Sequence, residues 1–199
     1  MKLKMIKEEL PEDFVSIHCQ AFKDFFLTSL GARFLHLYYT SLIKSNRGIV
    51  ICLFDNSDNL IGFAAGTKKS NGFHKGILLS NLFSYFCVLL HLIISRPNSI
   101  IRLFKNLNKK NIINNDDGDY AELLSIAVPP NNNGKGYGKM LLSEFEKVSK
   151  SFGSGKVALT TDFYNNEGVL AFYKRSGYEI FYDFIAFPNR HMYKLIKQL

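Results

Sequence analysis

Cysteine is scarce. The 199 residues hold three, Cys19, Cys52 and Cys87, far apart and in neither a CxxC nor a metal-ligand spacing. A disulfide framework and a cysteine-based metal site are therefore not supported, and the scattered thiols read as reduced and buried in a cytoplasmic protein. The opening MKLKMIKEELPEDF lacks the apolar run of a secretory signal, in keeping with that compartment. Also missing are internal repeats, low-complexity tracts, and any RNP-like, zinc-finger or helix-turn-helix pattern, so no nucleic-acid partner is expected.

What is present suits a globular domain. Hydrophobic residues make up 47% of the chain, and its length suits one domain, 1–199, with a sizeable core. The formal charge is +8, with the basic residues spread rather than gathered in a tail. Such a surface favours an anionic partner, whether nucleic acid, anionic lipid or a phosphorylated small molecule, with nucleic acid ranked well below a phosphorylated ligand; solubility alone is the plain alternative.

KLKMI reads as a strand, and LPEDFVSIHCQAF as a helix with Pro11 at its start. Ser29 is placed to cap a second helix, LGARFLHLYYTSLIK. GIVICLFDNSDNLIGFAAGTKK reads as a hairpin, two β-rich runs around DNSDN. After residues 72–115 come strand YAELLSIAV, a glycine loop, helix GKMLLSEFEKVSKSF, strand KVALTTD, helix NEGVLAFYKRS and two last strands. The order β-α-α-β-β then β-α-β-α-β-β describes an α/β or α+β domain with a mixed sheet.

Residues 76–95 carry no charge, long enough for a membrane span. Yet Gly76, Ser80, Ser84, Cys87, His91 and Ser95 line one stripe of a single helix. One crossing would also part the hairpin from the later strands. The helix is expected in the core, in a homodimer interface, or against a membrane surface, and the basic, amphipathic 98–110 segment is compatible with lipid contact. A helical insertion covering the sheet or a partner subunit is favoured over the membrane.

The chemistry is concentrated in NNNGKGYGKM. Gly134, Gly136 and Gly138 stand where a helix should start, each costing roughly 1 kcal/mol relative to alanine. A P-loop is excluded because Asn133 replaces its first glycine and Met140 its hydroxyl. A dinucleotide fold wants GxGxxG directly after its strand, with an acid such as Asp162 at the end of the next, but the loop reads GxGxG and the further βαβ units are missing. V-x-P, a polar run and GKGYGKML instead resemble motif A of the GNAT superfamily of N-acetyltransferases. Its Gln/Arg-x-x-Gly-x-Gly/Ala falls on Asn133, Gly136 and Gly138, with Asn133 the departure. DFYNNEGVLAFYKRSGYE is similar to the later motif of that superfamily, through Asn166, Tyr173, Gly177 and Tyr178.

The resemblance implies a mixed, mostly antiparallel sheet of about seven strands flanked by helices, with a two-helix insertion at 72–115. It implies an acyltransferase that moves acetyl from acetyl-CoA to a primary amine in a ternary complex, without metal or acyl-enzyme. The donor would lie on the backbone of Ile126, Ala127 and Val128 and on the loop Asn133, Gly134, Lys135, Gly136, Tyr137, Gly138 and Lys139. Asn166 would hold the pantetheine arm, and Tyr173 would protonate the leaving thiolate.

Glu122 is the expected base. It is placed on one strand face with Leu124, Ile126 and Val128, whose apolar character would raise its pKa; Asp162 is the second choice. His18, Asp24, Phe25 and Phe26, on the first two helices and their loop, are expected over the acceptor, with Asp162 also a candidate there. The acceptor is expected to be a small molecule, with an amino sugar or nucleotide-linked sugar preferred. The alternatives are a protein N-terminal or lysine acetyltransferase, a non-catalytic acyl-CoA-binding module, and a membrane-associated acyltransferase for longer chains.

Overall fold

The computed structural model describes residues 1–95 and 116–199. Its seven strands are β1 (Lys2–Met5), β2 (Gly48–Phe54), β3 (Leu60–Thr67), β4 (Ala121–Ala127), β5 (Lys156–Asp162), β6 (Glu179–Ala186) and β7 (Arg190–Gln198). They form one sheet in the order β1-β2-β3-β4-β5-β7-β6. Every neighbouring pair is antiparallel except β4 and β5, which run parallel. The helices are α1 (Phe14–Ala21), α2 (Phe26–Ser29), α3 (Ala32–Lys44), α4 (Phe73–Ser80), α5 (Leu82–Ser95), α6 (Tyr137–Ser151) and α7 (Glu167–Arg175).

The sheet separates two cores. On one face Phe14, Leu35, Tyr39 and Leu42 of α1 and α3 meet Val50, Cys52 and Phe63 of the hairpin. On the other, Leu141, Leu142 and Phe145 of α6 and Tyr173 of α7 pack on Ile51, Leu123, Val157 and Leu159. Both faces of β2 and β3 are covered, which explains their unbroken apolar runs. Gly66 permits the closest approach: a Cβ there would stand 2.6 Å from Cζ of Phe145 and collide with the Glu122 carbonyl.

The hairpin turn is fixed by Asp55, whose Oδ1 accepts the N–H of Ser57 at 2.8 Å and of Asn59 at 2.9 Å. The second helix differs from expectation. Ser29 belongs to the short α2, and α3 is preceded by Gly31 at φ 89°.

The uncharged segment is also not one helix: α4 and α5 are broken at Asn81. The Ser80 hydroxyl and the Asn81 amide both donate to the Ile77 carbonyl, at 3.1 and 3.2 Å. Short polar side chains thus satisfy an acceptor that the next helical turn would have used. Among the described residues, no helix is long and apolar enough to cross a membrane. The 98–110 segment lies outside the described residues.

Candidate active site

The site begins where the parallel pair comes apart. β4 and β5 are paired only from Ala121 with Val157 to Leu123 with Leu159. Beyond that, β5 follows β7 as far as Asp162 opposite Met192. β4 instead stays with β3 as far as Ala127 opposite Phe63. The cause is a bulge: Gly66 pairs with Leu123 and Ala65 with Ser125, leaving Leu124 as an extra residue in β4. Bulges bend a strand and end its pairing on one edge. Ser125, Ile126 and Ala127 therefore have a strand on one side and an open edge on the other, where amide groups of an extended ligand can dock.

The bulge also re-aims side chains. Leu124 and Ala127 face the α1–α3 core, whereas Ile126 and Val128 face the α6–α7 core. Glu122 therefore does not share a face with Ile126 and Val128, as strict alternation predicts.

Directly after the open edge the chain turns through a 3-10 segment at Pro130–Asn132 and enters α6. Gly134 and Gly136 have φ of 77° and 81°, a left-handed conformation that explains glycine at both positions. A Cβ at either would meet nothing within 4 Å, and one at Gly138 would meet only Cζ of Phe172, at 3.9 Å. From Gly134 to Lys139 no backbone N–H donates to another group of the described chain; the next, Met140, bonds to the Gly136 carbonyl at 3.1 Å. Consecutive free N–H groups at the start of a 15-residue helix make an anion-binding concavity. The Lys135 ammonium donates to Asn132 at 2.8 Å, bracing the turn. Asn133, Lys135 and Lys139 are exposed, and Tyr137 is half-buried.

Asn166 is the residue before α7, yet its side chain makes no capping bond. Its amide N–H₂ donates to the Thr161 hydroxyl at 2.6 Å and the Asp162 carbonyl at 2.9 Å, tying α7 to the end of β5. Among the described residues its side-chain carbonyl has no donor and is available as an acceptor. Tyr173 is 6% exposed and packs edge-on against Phe172 and Tyr178. Burial pushes its phenol well above the ordinary value, so it stays protonated. No hydrogen bond engages its hydroxyl among the described residues.

The two expected bases are both committed elsewhere. Glu122 accepts from the Ser70 hydroxyl at 2.5 Å and from the Lys194 ammonium, with side chains 12% exposed for Glu122 and 6% for Lys194. Burial acts to raise the Glu122 pKa, but Lys194 and the Ser70 hydrogen bond outweigh it and hold the carboxyl below its ordinary value. The expectation of a raised pKa is thus overturned by a partner supplied from β7. Asp162 receives a two-pronged bond from Arg190, at 2.5 and 2.6 Å.

Arg190 also links the acceptor-side candidates. Its guanidinium lies 4.3 Å from the ring centre of Phe25, closing a bridge from the α1–α2 loop to the end of β5. Asp24 and Phe25 are exposed on that loop, and Phe26 packs partly into the core.

One group was missed by sequence reasoning. Tyr39 lies 2.8 Å from Nδ1 of His18 and donates to the Ser125 hydroxyl at 2.9 Å. His18 is 2% exposed, and burial lowers its pKa to about 4, so the ring is neutral near pH 7. This chain of bonds fixes Ser125 where the open edge of β4 begins. His18 stood out in the sequence, but nothing there pointed to Tyr39 or Ser125, which come from α3 and β4.

Comparison with known proteins agrees with this geometry. No curated protein matches the chain in sequence. Among solved structures, the PaiA N-acetyltransferase of Thermoplasma acidophilum, in complex with coenzyme A, is 18% identical with a TM-score of 0.57, and the alignment covers 100% of both chains. A spermidine N-acetyltransferase chimera of Vibrio cholerae SpeG and hSSAT is 15% identical with a TM-score of 0.59, covering 100% of this chain and 96% of that one. The ribosomal-protein-S18-alanine N-acetyltransferase of Escherichia coli is 13% identical with a TM-score of 0.58, covering 99% and 94%. These likenesses establish a shared fold. The sequence itself matches the pattern of the Acetyltransferase (GNAT) family over residues 11–178, and with the split β4–β5 pair and its glycine loop this chain belongs to that family.

Proposed function

We propose that the protein transfers the acetyl group of acetyl-CoA to a primary amine of a small molecule, by direct attack with both substrates bound. The observation that carries this reading is the open edge of Ser125–Ala127 leading straight into the unpartnered N–H groups of Gly134–Lys139. The loop N–H groups receive the pyrophosphate, and the open edge pairs with the pantetheine amides. The free carbonyl of Asn166 accepts a further amide N–H. As the amine nitrogen bonds to the acetyl carbon and the C–S bond breaks, Tyr173 gives its phenolic proton to the thiolate sulfur.

The amine must lose a proton, and neither Glu122 nor Asp162 suits that task. Glu122 is held below its ordinary pKa, which makes it a poor proton acceptor near neutrality, and both Asp162 oxygens are taken up by Arg190. The acceptor therefore enters as the free base, the surplus N–H proton leaves nitrogen for water as the amide forms, Tyr173 regains its proton from solvent, and kcat/KM climbs with pH through the pKa of the acceptor itself. The bridge from Phe25 through Arg190 to Asp162 narrows the acceptor side, which favours a small amine over a peptide. An amino sugar fits, since its apolar face can stack on Phe25.

Thiol release from acetyl-CoA across amino sugars, polyamines and peptides tests the reading. Turnover is expected with a small amine and is expected to collapse in Tyr173→Phe. Turnover with peptides alone would make the protein a protein acetyltransferase. Binding of CoA without turnover on any amine would make it an acyl-CoA-binding module.

A further inference from the structure

We infer that Ser125 and Thr160, on the two strands that part, hold the N–H groups of the acceptor amine, and that Tyr39 and His18 hold Ser125 in place for it. This rests on the acetyl transfer proposed above and names the groups that meet the amine.

The two hydroxyls flank the gap. β4 and β5 are last paired at Leu123 and Leu159. With Leu124 as the extra residue of the bulge, Ser125 and Thr160 come next on their strands. Both side chains stand on the α1–α3 face. Ser125 bonds to Tyr39 of α3. Thr160 stands opposite Lys194, which bonds to Glu122, whereas Val157 and Leu159 pack into the α6–α7 core.

That face is open at the gap. β5 lies inside the sheet, between β4 and β7, yet Thr160 is exposed while Leu159 and Thr161 are 1% and 9% exposed. A side chain on a central strand is exposed only where nothing lies over it. A small amine can therefore reach Thr160, and with it the neighbouring Ser125.

Both oxygens have capacity to spare. A hydroxyl offers one donor and two acceptor sites. Tyr39 occupies one acceptor site of Ser125. Among the described residues, nothing takes the other or engages the Thr160 hydroxyl. Packing alone does not call for the His18–Tyr39–Ser125 chain, because apolar groups of the same shape can replace both partners of a buried hydrogen bond at little cost. What the chain adds is a fixed direction for the Ser125 oxygen.

An attacking amine must aim its lone pair at the acetyl carbon, so its site has to grip the N–H groups instead. Two acceptors about 2.9 Å from one nitrogen stand roughly 4.7 Å apart, close to the spacing of neighbouring strands, about 4.8 Å. Held by Ser125 on one strand and Thr160 on the other, the amine turns its lone pair into the gap. The exposed side of Thr160 also gives water a path to the surplus proton. Two acceptors suit two N–H groups, which makes the site selective for primary over secondary amines.

The test is the initial rate with acetyl-CoA and glucosamine, benzylamine or n-butylamine, each beside its N-methyl derivative. Thr160→Val is expected to lower kcat/KM for the primary amine roughly three- to tenfold, and Thr160→Ser to keep it, with melting temperature and the KM of acetyl-CoA unchanged. Ser125→Ala is expected to lose at least as much. Tyr39→Phe is expected to cost severalfold alone and nothing further in the Ser125→Ala background. The preference of wild type for the primary amine should narrow severalfold in Thr160→Val and in Ser125→Ala, which a loss of packing would not bring about.

If wild type acetylates a primary amine but Thr160→Val and Ser125→Ala match it, the assignment is overturned and the transfer stands. Losses that leave the ratio of primary to N-methyl amine as in wild type overturn it too. No turnover by wild type on any of these amines would remove the transfer to a small amine, and the assignment with it.

Discussion

The proposed donor side of the cleft and the proposed acceptor side are built by different means. The donor side consists of backbone: an open strand edge and a run of free N–H groups, produced by residues adjacent in sequence. The acceptor side consists of side chains brought from afar. Glu122 meets Lys194 across 72 positions, and Asp162 meets Arg190 across 28. A backbone site tolerates change in the residues around it provided the glycines stay. A side-chain site depends on each partner, so it is where members of one fold diverge in substrate.

The largest effect expected is on the chemical step. Tyr173→Phe should lower kcat by roughly 10²- to 10⁴-fold with the melting temperature unchanged, because the hydroxyl has no partner to lose among the described residues. Equal losses of activity and stability would move Tyr173 from chemistry to packing.

Next, Lys194→Met leaves a buried carboxylate without its counter-ion and should destabilise the fold by roughly 3–5 kcal/mol, read as a lower denaturation midpoint. A neutral result would show the acceptor side to be as tolerant as the donor side.

The pH dependence follows from His18, whose pKa falls from 6.5 to about 4 on folding. Between those values the unfolded chain holds a proton that the folded chain does not. Stability therefore rises with pH through this window and is lost toward about pH 4, with a total of about 3 kcal/mol. Glu122, also lowered on folding, adds to the loss below its unfolded value. Urea melts of wild type and His18→Gln should differ in slope across the window; parallel curves would contradict the assignment.

The smallest effect is Asp162→Asn. Its pair with Arg190 is partly exposed, at 25% and 32%, so stability should change by no more than about 1 kcal/mol. The KM of the amine should rise severalfold while that of acetyl-CoA stays put. If both rise together, the bridge serves the whole cleft rather than the acceptor side.

The same division explains what was legible in the sequence. The hairpin around Asp55, the succession of strands along the chain and the glycine loop are local patterns, and the structure places them where the sequence reading does. The break at Asn81 was hidden because a hydrophobic run says nothing of side chains that bond back to Ile77. The facing of Glu122 was misread because alternation holds only without a bulge, and Leu124 carries no mark of one. Its lowered pKa was out of reach because Lys194 sits at the far end of the chain. Tyr39 looks like any core aromatic until Ser125 and His18 are seen beside it.

The central claim is that the backbone from Ser125 to Lys139 holds the donor, and Gly138→Val tests it most directly. That position has an ordinary φ and room for a Cβ, so the variant should fold as wild type does while its side chain fills the concavity. Calorimetric titration should show wild type binding CoA far more tightly than pantetheine, which lacks the pyrophosphate. The variant should lose that advantage and keep its affinity for pantetheine. A folded Gly138→Val protein that binds CoA as tightly as wild type would contradict the account.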